Sequence, residues 1–190
     1  MQQIDALPRE GLHRAFTVPT TLPARPDILG RQKAPTQMDH TTQKRFHFPG
    51  SAEFVVRDHF AVGFEPVNIS YLGANFRRIF LDLVVAPQPS GFYSAMNLTQ
   101  RLTGPQIVEQ FGADHMAGLP VAWHLLMLQR ANDPGALYTS GLTNILVPPG
   151  SNYSVGIFWF RGAWSIRAYP FEAEKPRGWF AGNQVIVRIE

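Results

Sequence analysis

The sequence predicts an all-β protein: a two-sheet β-sandwich of jelly-roll type, with one short helix in a long connection and an extended N-terminal arm. Three observations carry that reading. From about Phe48 onward, short apolar or alternating runs follow one another, as strands of a sandwich do. They are separated by "LGAN", "PQPSG", "NDPG", "PPGSN" and "EKPRG", where proline fixes φ and glycine or asparagine tolerates unusual backbone angles. No repeat of solenoid or propeller length, about 20–50 residues, is present.

Residues 1–47 form the predicted arm. They hold two aromatic residues, Phe16 and Phe46, while Pro8, Pro19, Pro23, Pro26 and Pro35 recur too often for a helix or a central strand. Such a segment buries too little surface to offset its own conformational entropy, so it gains order only by lying across a neighbour. Its seven Lys/Arg against four Asp/Glu account for the whole formal charge of +3, and the body is neutral. Arg9, Arg14, Arg25 and Arg31 are its expected polar contacts, and Phe16 and Ile28 its apolar anchors.

Residues 48–190 form the predicted sandwich domain. Its strands are expected at 52–58, 67–72, 76–86, 121–130, 143–148, 153–160, 163–169 and 183–190. The run "VAWHLLMLQR" is apolar throughout and fits a buried helix as well, but Pro120 and "NDPG" at its ends favour a strand. The helix is predicted in "LTGPQIVEQFGADHMAG", with Thr103 as cap, Pro105 in the first turn, Ile107, Val108 and Phe111 on one side and Gly112 as the stop. In "FRRIF" a strand sets Arg77 and Arg78 on opposite faces, so at least one of them needs a carboxylate, an edge or a partner.

The stretch "YSVGIFWFRGAWSIRAY" concentrates aromatic residues in one hairpin. By strand parity Tyr153, Val155, Ile157 and Trp159 share a face, and Phe158 and Phe160 lie on the other. On the return, Trp164, Ile166 and Ala168 alternate with Ser165, Arg167 and Tyr169. The plain expectation is a sandwich core on one side and, through Phe158, Phe160, Arg77 and Arg78, an inter-subunit surface on the other. A second expectation is a sugar or small-ligand cleft built from Trp164, Tyr169 and Trp179. A base-stacking role is weaker, because Ala163 stands where the aromatic strand of RNA-recognition domains carries a ring, and the βαββαβ order is missing.

Catalytic chemistry is not legible. There is no cysteine, hence no disulfide and no thiolate metal site, and the six histidines include no H-x-H pair. His124 reads as a hydrogen-bonded core or interface histidine. No nucleophile elbow, phosphate loop or dinucleotide fingerprint occurs, and a carboxylate pair such as Glu65 with Asp82 is unspecific. The expectation is a protein with no catalytic residue, no cofactor and no metal. No run is long enough to cross a membrane and the first residues hold no apolar leader, so a soluble, non-exported chain is expected.

A basic proline-rich arm on a neutral aromatic sandwich is similar in organisation to single jelly-roll capsid and other virion proteins, whose arms lace neighbouring subunits. That similarity implies a non-enzymatic structural protein of a virus or bacteriophage particle, assembled in the host cytoplasm. Its partners would be copies of itself and other coat proteins, with nucleic-acid contact by the arm. The alternatives are a cytoplasmic carbohydrate- or small-ligand-binding sandwich and a cupin-like metal enzyme.

Overall fold

A computed structural model describes residues 44–63, 65, 67–129, 135–173 and 178–190. The arm residues Arg9, Arg14, Phe16, Arg25, Ile28 and Arg31 lie outside the described residues.

The described chain is mostly strand. In order it forms β1 (Lys44–Phe48), β2 (Phe54–Val55), β3 (Ile69–Leu72), α1 (Ala74–Phe80), β4 (Val84–Val85), β5 (Gly91–Asn97), α2 (Gly104–Phe111), α3 (Leu119–Leu128), β6 (Asn144–Leu146), β7 (Tyr153–Phe160), β8 (Ala163–Pro170) and β9 (Gln184–Arg188). Seven strands make one mixed sheet in the order β1-β5-β9-β6-β7-β8-β3, and β2 pairs with β4 in a second, two-stranded sheet. The pairings β3 with β8 and β6 with β9 are parallel, and the others antiparallel. The described residues thus form a large mixed sheet and a small second sheet with few helices, which fits the all-β expectation.

Two predicted strands are helices, for reasons visible in the side chains. In "FRRIF" two consecutive arginines interrupt the two-residue alternation, while Phe76 and Phe80 recur at helical spacing and both are buried. Arg77 and Arg78 fall in the last turn of α1, where cations complement the helix dipole, and both are exposed. They therefore do not straddle a sheet. In "LPVAWHLLML" Pro120 occupies the first turn of α3, where its missing N–H costs nothing, rather than marking a strand boundary. The run is apolar all round because α3 is wedged into the core, with Leu119, Val121, Ala122, Leu125 and Leu126 buried.

Two strands were hidden in the sequence. Lys44–His47, counted with the arm, belong to β1, where Lys44 pairs with Ala95 and Phe48 with Gly91. β5 is not predicted: the small Ser94 and Ala95 break the apolar run of Phe92, Tyr93 and Met96, although both are buried in mid-sheet. The expected strand at 52–58 shortens to β2 and gives way to a 3-10 turn at Val56–Asp58.

The sheet is apolar on both faces. The inner face carries Tyr93, Ala95, Ile186, Leu146, Val155, Ile157, Trp164, Ile166 and Ala168 against Phe76 and Phe80 of α1, Leu125 and Leu126 of α3, and Phe54 of β2. Each large side chain so buried contributes roughly 1.5–3 kcal/mol. The outer face carries Ile145, Val147, Val185 and Val187 beneath Ile107 of α2, with Leu98, Leu102 and Met116. The predicted cap of α2 is present as a capping box: Gln106 Oε1 accepts from the Thr103 N–H at 2.9 Å. Gly104 lets α2 approach closely, since a Cβ there would overlap the Phe171 ring and lie 2.5 Å from Ser154 Oγ.

Candidate functional site

The aromatic hairpin is β7 and β8, paired in register from Tyr153 with Pro170 to Phe160 with Ala163. Its loop is Arg161-Gly162, with φ of 52° and 82°, the double positive φ of a two-residue type I′ turn. Parity holds as predicted. Trp159 and Trp164 meet edge to face at 4.9 Å on the inner side, and Trp164 is buried. Phe158 and Phe160 point to the outer side, with Phe160 58% exposed.

On that outer side the arginine of β8 organises its neighbours. The Arg167 guanidinium sits 5.1 Å from the Tyr71 ring centroid and 5.3 Å from that of Phe158, so it is held between two rings. Its stem lies along Gly73, where a Cβ would meet Arg167 Cγ at 3.3 Å. At the hairpin tip Arg161 covers Phe160 at 5.1 Å. Neither arginine has a carboxylate within salt-bridge range among the described residues, where the one ion pair joins Arg57 to Asp82.

The expected interface set thus divides. Phe158 and Phe160 share the outer face with Tyr71, Arg161 and Arg167, which are not among the interface residues expected from the sequence. Arg77 and Arg78 ride on α1, which packs Phe76 and Phe80 against the inner face. Of the missed residues Arg167 carried a signal, as an outward position between the inward Ile166 and Ala168, whereas Tyr71 has the parity of the buried Ile69 and faces out only through a register shift in β3.

The expected ligand cleft also divides. Tyr169 and Trp179 meet edge to face at 5.1 Å beside a hollow of about 340 Å³, with Thr143, Phe180 and Asn183 in its wall. Trp164 cannot join them, because it lies an odd number of residues from Tyr169 on the same strand and faces the inner core. Part of the hollow's polar wall is already engaged: Asn183 Oδ1 accepts from the Thr143 N–H at 2.9 Å. Arg101 lies over the neighbouring Phe180 ring at 4.3 Å.

The third feature is the sheet edge at β1. Among the described residues no strand pairs with its outer side. Three hollows flank it: about 480 Å³ between Phe46 and Leu125, about 410 Å³ between Phe46, Phe92 and Ile189, and about 340 Å³ among Phe48, Trp123 and His124. His124 is half-buried on α3, and its Nε2 lies 3.2 Å from the His47 carbonyl oxygen. A carbonyl can only accept, so Nε2 carries the hydrogen. Burial holds His124 below the usual imidazole range, as it does His59, which stacks on Phe54 at 4.1 Å.

Among the described residues no three His, Asp or Glu side chains converge as metal ligands would. Asp82 is turned to Arg57 and Glu65 is exposed in a separate loop. Among the described residues no helix is long and apolar enough to cross a membrane. No protein-family model matches the chain, and neither a curated protein nor a solved structure is significantly similar to it.

Proposed function

We propose that the chain is a non-enzymatic structural subunit of a virus or phage particle, assembling with copies of itself and with other coat proteins through its N-terminal segment and the edge of its sheet. The observation that supports this reading is β1. An unpaired strand edge offers a row of backbone donors and acceptors, and proteins usually cover such an edge or blunt it. Here hollows lined by both aromatic and charged side chains, among them Phe46, Phe92, Arg45 and Glu190, flank the edge, which suits an added strand that drops alternate side chains into them. The proline-rich basic segment joins the sheet at this same strand. The reading requires an arm and an edge, and does not depend on a second large sheet.

The test is the mass in solution, by light scattering after size exclusion, of the full chain and of a chain beginning at Gln43. Truncation further in, at Phe48, would remove Lys44–His47 from β1 and confound loss of assembly with loss of fold. Large or multimeric full-length protein beside a small folded truncated one supports the proposal. Two identical small species would refute it.

A second reading, a cytoplasmic protein that binds a sugar or small ligand, is favoured by the Tyr169–Trp179 hollow. It predicts that a bound sugar quenches tryptophan fluorescence and that Trp179→Ala abolishes the effect.

A further inference from the structure

We propose that the outer face of β7, β8 and β3, formed by Tyr71, Phe158, Phe160, Arg161 and Arg167, is a platform for single-stranded nucleic acid. This goes beyond the assembly reading and stands independently of it.

The face combines two features that a free surface does not usually keep. Phe160 and Tyr71 are 58% and 45% exposed, large rings left in water. Arg167 is fixed between the Tyr71 and Phe158 rings and Arg161 against Phe160, without a carboxylate partner among the described residues. An arginine already held in place loses little freedom on meeting an anion, and its planar fork matches two phosphate oxygens.

The occupant follows from the charge. A second copy docked face to face about a two-fold axis would set Arg161 and Arg167 against their own images, and neither has a carboxylate partner among the described residues to relieve it. The occupant must bring negative charge and flat apolar surface together. Single-stranded nucleic acid does so at regular intervals: phosphates for the arginines and unstacked bases for the rings. Phe158 and Phe160 stand two residues apart on one strand, about 7 Å, so successive bases can be served by successive rings. A duplex keeps its base faces stacked inside and offers this surface only phosphate.

The experiment measures fluorescence anisotropy of a labelled oligothymidylate of about 20 nucleotides, and of a duplex of equal length, titrated with the full chain at several salt concentrations. The expected result is preference for the single strand. Tyr71→Ala and Phe160→Ala should each weaken that binding about five- to a hundred-fold while leaving duplex binding unchanged. The double variant Arg161→Ala/Arg167→Ala should reduce the salt slope for the single strand by about 1.4, two phosphates at about 0.7 each.

The basic N-terminal segment is a second cationic region, but it would bind both nucleic acids through charge. It therefore cannot produce a loss confined to the single strand on removing a ring. Equal affinity for strand and duplex, or ring variants that bind like the parent, would overturn the platform. So would displacement of the oligonucleotide by polyglutamate with no sensitivity to Tyr71 or Phe160, which would identify an acidic protein as the occupant. The substituted rings are exposed, and retention of the parent circular dichroism spectrum by each variant separates lost binding from lost fold.

Discussion

Across β5, β9 and β6 the outer face of the sheet carries Ile145, Val185 and Val187 beneath α2, whereas across β7, β8 and β3 the same face carries Phe158, Phe160, Arg167 and Tyr71 with much of their surface in water. The sheet is continuous across the two halves. The difference lies in the outward side chains and in the segment spent to cover them: the connection from Leu98 to Gly118 folds over the first half and reaches the start of β7, where Gly104 packs on Ser154, while Phe160 and Tyr71 stay largely exposed. A covered half serves stability. An open half of rings and fixed cations is the surface proposed above to meet a partner.

The largest expected effect comes from cutting the same kind of apolar contact in each half. Ile145→Ala opens a cavity beneath α2 at a fully buried position and should cost about 2–5 kcal/mol. Phe160→Ala removes a ring that is 58% exposed and should cost under about 0.5 kcal/mol. Urea unfolding of both variants measures the contrast. Equal losses would mean that the open half is part of the core, and the distinction would fail.

The hairpin and its parity were legible in the sequence because β7 and β8 alternate on either side of a two-residue break, where Gly162 suits a positive φ although Arg161 does not. The cap, proline and stop glycine of α2 were legible for the same reason: each signal is local. The helices α1 and α3 were not, since a short apolar run has no period of its own, and only its neighbours in space decide. β5 was lost because a strand covered on both faces by large side chains can itself be built of Ser and Ala. At the site, Phe158 and Phe160 could be read from parity, whereas their company could not. Tyr71 reaches them through the β3–β8 pairing, a contact spanning more than ninety residues that no local pattern encodes.

The boundary between the halves is Gly156, and a smaller effect is expected there. Trp179 lies over it, so an added Cβ would meet the indole at 2.9 Å and the Thr143 methyl at 3.1 Å. Gly156→Ala should cost about 1–3 kcal/mol by overpacking, and should move Trp179 away from Tyr169, with a change in near-ultraviolet circular dichroism. An unchanged spectrum and stability would show that the indole yields freely and is not a fixed border. The cover itself can be loosened without touching the sheet. Thr103→Ala removes the capping box of α2 and should cost about 1 kcal/mol, and protection from amide exchange should fall over Gly104–Phe111 while the β7–β8 hairpin keeps its own.

The smallest effect separates the inner layer from the outer face by pH. His59 and His124 both lie on the inner side, beside β2 and on α3, and burial lowers both below the usual imidazole range. Asp58 partly opposes the shift at His59, and the His47 carbonyl opposes it at His124. With a depressed folded value the unfolded chain binds more protons, so the stability from this pair is complete above about pH 6.5 and declines as pH falls from there through the folded values. Urea midpoints at pH 7.5, 6.5 and 5.5 should therefore decrease in that order. His124→Gln keeps a donor for the His47 carbonyl but cannot titrate, and should flatten the decline. Arg167→Ala, on the open outer half, should leave its slope as it is. A decline that Arg167→Ala abolishes and His124→Gln does not would transfer the pH response to the open face, and the division between a stabilising inner layer and a partner-facing outer one would have to be redrawn.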